Sequence, residues 1–193
     1  MLTIPSSGAT KTAPVFRTLA TGFPGLAVLQ PRAMADARGM FVKIFHAEAF
    51  SEAGIPFEPR EGFYSVSAKN VLRGMHFQRP PAALAKLVYC LGGRVLDVVL
   101  DLRRGSPGFG KTFSRELSWE EPELLYVPPG FAHGFLALED NSVMAYLTDH
   151  VYAPALDGGI AWDSFDFPWP VTEPVLSERD RRFPRLTELP SPF

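Results

Sequence analysis

Residues 95 to 102, VLDVVLDL, alternate along the chain: Leu96, Val98, Leu100 and Leu102 share one face, and Val95, Asp97, Val99 and Asp101 the other. A period of two is the signature of a half-buried strand. The preceding run KLVYC joins it through Leu91-Gly92-Gly93-Arg94, a hairpin signal. Further strands are predicted over 25–31, 39–46, 62–68, 71–78, 123–129, 133–139 and 142–152, several of them separated by turn residues such as Glu139-Asp140-Asn141-Ser142. Helix is predicted over 47–54 and as a short piece near 177–182. Many short strands with so little helix imply an all-β sandwich or small barrel of the jelly-roll kind with short peripheral helices.

Composition narrows this without redirecting it. A chain of 193 residues, 46% of them hydrophobic, can bury one good core, so a single domain over 1–193 is expected and fibrous or disordered classes drop out. The net charge of -2 gives no electrostatic case for nucleic acid, while leaving room for local basic spots that hold a phosphate. Cys90, the lone cysteine, cannot form an internal disulfide. No apolar run approaches a membrane span, and the N-terminus lacks a basic segment followed by an apolar one. A soluble, cytoplasmic protein is expected.

VLRGMHFQ, residues 71–78, is the stretch where this pattern is disturbed: a strand headed for a core carries Arg73, Gly74 and His76 among Val71, Leu72, Met75 and Phe77. At strand parity His76 lies with Leu72, Gly74 and Gln78, and Lys86 opens the next strand with Val88 and Cys90 at its parity. Both can face one interior. A single strand histidine is ordinarily a hydrogen-bonded core or surface residue, and a lysine at a strand start ordinarily sits at the solvated rim. In SVMAYLTDHVY, Met144, Tyr146, Thr148, His150 and Tyr152 share one face, which either looks at water or lines a polar cavity. In VPPGFAHGF (127–135), Pro128, Pro129 and Gly130 fix the backbone ahead of His133, as for a rigidly placed side chain at a barrel mouth.

The spacing from Pro128 through Gly130 to His133 matches the second half of the pattern of cupins, small β-barrels that often hold a metal. A cupin metal site takes an HxH pair and a nearby carboxylate, because a divalent ion needs three or four converging ligands. Here residue 78 is Gln78 where the second histidine would fall, and Lys86 brings an ammonium to the neighbouring strand. No metal is expected.

VLRGMHFQ, AKLVYCLGGRVLDVVLDLR, GSPGFGK, LYVPPGFAHGF, AYLTDHVY, GGIAWD and LSERD occur in the order and at the spacing of the dTDP-4-dehydrorhamnose 3,5-epimerase family, which this chain resembles over roughly residues 25–185. The resemblance implies a cupin-type jelly roll that epimerises C3 and/or C5 of a nucleotide-linked 4-keto-6-deoxyhexose, in deoxysugar and polysaccharide biosynthesis. A 4-keto group acidifies the protons on its neighbouring carbons, so the chemistry needs a base, a stabiliser for the enolate oxygen and an acid on the opposite face. It needs no redox cofactor and no metal. By resemblance His76 is the base with Asp180 behind it, Lys86 the enolate stabiliser and Tyr146 the acid. Asp180 of LSERD also reads as a helix-start residue, a role compatible with the first. Gln78, His133 and Tyr152 match residues lining the substrate site, and Arg73 and Arg38 resemble positions that grip the diphosphate. Gly74 relaxes strict alternation so that Arg73 and His76 both serve the site. A homodimer formed by strand exchange or sheet pairing is likewise implied.

The chain also departs from the family. A segment often written FVQDNHS appears as PREGFYS, placing Glu61, Gly62 and Phe63 at positions of Gln, Asp and Asn. Lys43 replaces a glutamate, and Val151 replaces one tyrosine of a pair. The proton-transfer set is intact while the recognition set is altered, so a dTDP sugar is the favoured substrate, with GDP or CDP sugars as alternatives. Two rival readings are a metal-dependent cupin oxygenase and a non-catalytic cupin that binds sugar nucleotides.

Overall fold

The computed structural model describes residues 14–189 and 193. The N-terminal stretch read above for targeting signals lies largely outside them. Two antiparallel sheets face each other. One has six strands in the order β1-β2-β10-β7-β12-β5: Phe16–Ala20, Ala27–Pro31, Leu124–Val127, Lys86–Gly92, Ser142–Thr148 and Glu61–Ser67. The other has five, β13-β6-β11-β8-β9: Asp157–Gly159, Leu72–Gln78, Phe131–Ala137, Arg94–Asp101 and Thr112–Ser118. A separate two-stranded ribbon pairs β3 (Ala33–Asp36) with β4 (Gly39–Val42). Among the described residues helix is confined to α1 (Ala47–Glu52) and two 3-10 turns, Asp180–Arg182 and Leu186–Glu188.

Three apolar layers hold the sheets. Between them Val88, Leu125, Val95, Val99, Phe135 and Met144 form the barrel interior. Behind the six-stranded sheet Leu29, Leu87 and Tyr126 pack on Phe50 of α1 and on Phe57. Behind the five-stranded sheet Met75, Phe77, Val98 and Leu100 pack against Phe165, Phe167 and Trp169 from the C-terminal tail. This third layer corrects the expectation of a half-buried β8. Val95, Val98, Val99 and Leu100 are all fully buried: Val95 and Val99, on the face that carries Asp97 and Asp101, point into the barrel interior, while Val98 and Leu100 lie under the aromatic tail.

Most predicted strands are present, with shifted ends. The strand expected over 39–46 stops at Val42, and His46 instead caps α1, its Nδ1 accepting from the Ala49 N–H at 3.3 Å. β12 stops at Thr148 rather than Tyr152, since Asp149 turns aside to accept the Ala85 N–H at 2.7 Å. β1, β3, β9 and β13 were not expected. Within β6 the register against β11 slips between His133 and Phe135, which breaks the alternation. Gly74 makes the slip possible: its φ is +139°, and a Cβ there would stand 2.5 Å from Gly134 Cα.

Candidate active site

The barrel interior is part core and part cavity. Along β7 the inward positions run from Lys86, at the cavity, to Val88 and Cys90 in the core; along β12 they run from Thr148 through Tyr146 to Met144. The cavity measures about 450 Å³ and draws side chains from both sheets. That size suits a small-molecule site.

On the five-stranded side, the slip in β6 turns both Arg73 and His76 toward the cavity, while Met75 and Phe77 take the outer layer. Arg73 is tethered to β5 through the Ser67 hydroxyl at 3.0 Å and the Val66 carbonyl at 3.1 Å. His76 Nε2 lies 2.8 Å from Asp180 Oδ1. Burial works against the Asp180 carboxylate, yet its pairing with His76, the Gly74 N–H and the charge of Arg179 hold it below its ordinary range. His76 is itself pushed below its usual value, chiefly by loss of hydration and further by the charges of Lys86 and Arg179, against the pull of Asp180. A neutral imidazole backed by a carboxylate is a competent base.

On the six-stranded side, Lys86 enters at the start of β7, and its Nζ donates to the His76 carbonyl at 3.2 Å. It does not sit at a solvated rim. Desolvation pulls its ammonium down to about 8, with Asp157 and Asp97 partly opposing that and Arg179 adding to it. Tyr146 is 8% exposed; burial first, and the nearby Asp97 second, push its hydroxyl well above the usual phenol range, so it carries its proton at neutral pH. Phe63 stacks on Tyr146 with centroids 4.7 Å apart and planes 14° from parallel. His133 meets the same ring edge-on at 6.1 Å.

The structure thus gathers His76, Asp180, Lys86, Tyr146, Arg73, Gln78, His133 and Tyr152 around one cavity or directly behind it. It revises several expectations. His133 is not at a mouth: it is 3% exposed, and its Nε2 is 2.8 Å from the fully buried Asp97. Gln78 lines the cavity, but its amide is committed to backbone, donating to the Ala82 carbonyl at 2.9 Å and accepting the Ala153 N–H at 2.7 Å. It braces loops and has little left for a ligand. Arg38 is not brought to the cavity; it is 90% exposed on the β3–β4 ribbon and pairs with Asp36 at 2.6 Å. His150, placed by periodicity on the face of Tyr146, turns instead to the Val151 carbonyl at 2.8 Å.

Residues in the cavity or behind it also escaped the sequence reading. Arg179 packs against His76, with Nη2 2.6 Å from Nε2, and is held by Asp157 at 2.8 Å. Asp97 looked like the polar position of a solvated strand face and is instead a buried support for His133. Ser65 Oγ is buried at the cavity wall on the side of the Tyr146 hydroxyl, and its hydrogen bonding partly offsets the upward push on that phenol. Glu61, one of the altered recognition positions, accepts the Tyr152 N–H at 2.6 Å and lines the same wall. Arg179 was the findable one, because it stands next to Asp180 in LSERD. Among the described residues no three His, Cys, Asp or Glu side chains cluster to hold a metal.

A jelly-roll barrel whose interior holds a carboxylate-backed imidazole, a desolvated lysine and a buried phenol is an acid–base enzyme of the cupin architecture. Comparison with known proteins makes the class specific. The family model of dTDP-4-dehydrorhamnose 3,5-epimerase matches residues 20–188, and the chain belongs to that family of isomerases. The dTDP-4-dehydrorhamnose 3,5-epimerase of Escherichia coli (strain K12) is 42% identical over 166 residues, covering 84% of this chain and 90% of its own. A 4-keto-6-deoxy sugar epimerase from the novobiocin biosynthetic gene cluster of Streptomyces spheroides superposes with a TM-score of 0.86 at 36% identity, covering 90% and 88% of the two chains. The dTDP-6-deoxy-D-glucose-3,5-epimerase of Legionella pneumophila, solved in complex with dTDP-4-keto-L-rhamnose, gives 0.85 at 34% identity and 89% and 93% coverage.

Proposed function

We propose that this chain epimerises a dTDP-linked 4-keto-6-deoxyhexose at C3 and/or C5. His76, held by Asp180, removes the proton; the Lys86 ammonium stabilises the enolate oxygen; and the Tyr146 hydroxyl delivers a proton to the opposite face. The observation that carries this reading is that His76 and Tyr146 reach one cavity from the two facing sheets, β6 and β12, with Lys86 beside them on β7. Arg73 and Arg179 supply the positive charge a diphosphate requires. Tyr152, whose hydroxyl is 3.4 Å from Asp157, flanks the entrance.

The enzyme works as a homodimer in the cytoplasm. The β3–β4 ribbon supports the dimer: it pairs with neither large sheet and exposes Met34, Met40 and Phe41 beside Arg38. Arg38 meets a nucleotide only in a second copy. Arg38→Ala then raises KM with little change in kcat, and a monomer in sedimentation with full activity overturns the dimer.

The experiment on the chemistry is a time course in deuterated water with a dTDP-4-keto-6-deoxyglucose substrate. Tyr146→Phe exchanges substrate hydrogen for deuterium while forming little epimer, because His76 still removes the proton and returns one to the same face. His76→Ala loses both, by about 10² to 10⁴ in rate. Inversion by Tyr146→Phe at the wild-type rate removes Tyr146 from the mechanism.

A further inference from the structure

Two partners converge on one atom of the base. His76 Nε2 is 2.8 Å from Asp180 Oδ1 and 2.6 Å from Arg179 Nη2. A neutral imidazole nitrogen bears either a hydrogen, which satisfies the carboxylate, or a lone pair, which satisfies the guanidinium, and it cannot do both. Whichever form Nε2 takes, Nδ1 takes the other. Nδ1 has no protein partner among the described residues, so it is the ring nitrogen left for a ligand.

The contacts around Nε2 favour one of the two forms while Arg179 lies against it. A hydrogen on Nε2 would set two N–H groups against each other across the shorter of the two contacts. A lone pair there faces Asp180, but Asp180 is compensated by the Arg179 Nε–H at 3.3 Å and the Gly74 N–H at 3.3 Å. Arg179 is further pinned through Nη1 to Asp157 at 2.8 Å, which leaves Nη2 as the arm that meets the base. Its side chain is 48% accessible at the cavity, whereas Asp180 is 4% accessible. An anion entering the site can reach the guanidinium and cannot reach the carboxylate.

We infer that Arg179 is an anion-operated latch on His76. With Arg179 against the ring, Nη2–H donates to the Nε2 lone pair, the imidazole hydrogen sits on Nδ1, and neither nitrogen is open to take a proton. A diphosphate that draws Nη2 to its own oxygens releases Nε2, the imidazole hydrogen moves from Nδ1 to Nε2 through solvent, and Nε2–H donates to Asp180. Nδ1 then presents a lone pair to the substrate. The base is armed only when the anionic end of the substrate has docked, a coupling between two parts of one ligand. Arg179 is here a positioning residue, acting through His76. The inference rests on His76 being the base, but its first test does not use turnover.

That test is the ring tautomer of His76, read by long-range proton–nitrogen NMR on labelled protein at about pH 7.5, where the imidazole is neutral. The chain has four histidines, and His76→Asn identifies the relevant signal by its loss. In free protein the hydrogen is expected on Nδ1, moving to Nε2 when inorganic pyrophosphate or dTDP is added to saturation judged by calorimetry. In Arg179→Gln it is expected on Nε2 with or without the anion. A hydrogen on Nε2 in the free wild-type protein, a pattern that saturating anion leaves unchanged, or failure of both anions to bind overturns the latch. Kinetically, Arg179→Gln raises KM while kcat changes by less than about tenfold; a loss in kcat matching that of His76→Ala means Arg179 does chemistry itself. Should His76→Ala retain exchange, the assignment of the base falls while the tautomer result still decides the latch.

Discussion

The two walls of the cavity are built differently. On the five-stranded side every titratable group is braced: His76 by Asp180, His133 by Asp97, Arg179 by Asp157, with Gly74 and Gly134 bringing the strands close enough to do it. On the six-stranded side the proton-transfer groups are held mainly by packing and desolvation: Tyr146 under Phe63, and Lys86 by one bond to a carbonyl. A base needs a fixed tautomer, which only hydrogen bonds supply; an acid and an oxyanion stabiliser need a depressed local dielectric, which burial supplies. The residues that depart from the family pattern and line the cavity, Glu61 and Phe63, both lie on the second wall.

The largest expected effect comes from breaking the first wall. Gly74→Ala puts a Cβ into the Gly134 backbone at a φ of +139°, with no flexible side chain to yield. A loss of about 3 kcal/mol or more is expected in urea unfolding. Phe63→Ala on the second wall is expected to cost under about 1 kcal/mol, as a half-exposed position. Equal losses would show that the walls are one unit.

Much of this architecture was legible, and the illegible parts share a cause. The mixed composition of VLRGMHFQ showed a strand serving both a core and a site, because Arg73 and His76 are chemically out of place in a core. β9, with Arg115 and Glu116 exposed on an edge, and the three-residue β13 carry no apolar period to detect. Asp97 was misplaced for a deeper reason: alternation reports which face a residue is on, and a solvated face and a buried polar network look identical to it. Arg38 illustrates the converse, since family likeness assigned it to a cavity that its own chain does not bring it to.

The next effect in size concerns Lys86. Lys86→Met should slow deuterium exchange by about 10² to 10³, as for loss of one oxyanion donor. In kcat/KM the wild-type profile is expected to be a bell, rising through a value below 6.5 as His76 loses its proton and falling above about 8 as Lys86 does. The variant lacks the upper limb. Stability should move the other way. The folded Lys86 pKa of about 8 lies below the 10.5 of the free side chain, so the unfolded chain binds more protons between those values and stability rises with pH across that window. The gain, up to about 3 kcal/mol, is absent from Lys86→Met, which is correspondingly more stable near neutrality. A variant that is slower and also less stable would mean the ammonium is better compensated than its single hydrogen bond implies.

The smallest effect is the sharpest probe of the second wall. Phe63 lies flat on Tyr146, across the cavity from the strand that carries His76, so Phe63→Asn should disturb the acid alone. Aromatic stacking contributes about 0.5 to 1.5 kcal/mol, which bounds the loss at roughly tenfold. That loss should appear in inversion and not in exchange, because proton removal occurs across the cavity on the braced wall. The ratio of deuterated, uninverted substrate to epimer therefore rises in the variant, whereas a general loosening of the pocket would lower both rates together. Phe63→Tyr, which keeps the ring, should restore the ratio. If asparagine lowers exchange as much as inversion, Phe63 supports the whole cavity, and the division between a hydrogen-bonded wall and a packed wall does not extend to catalysis.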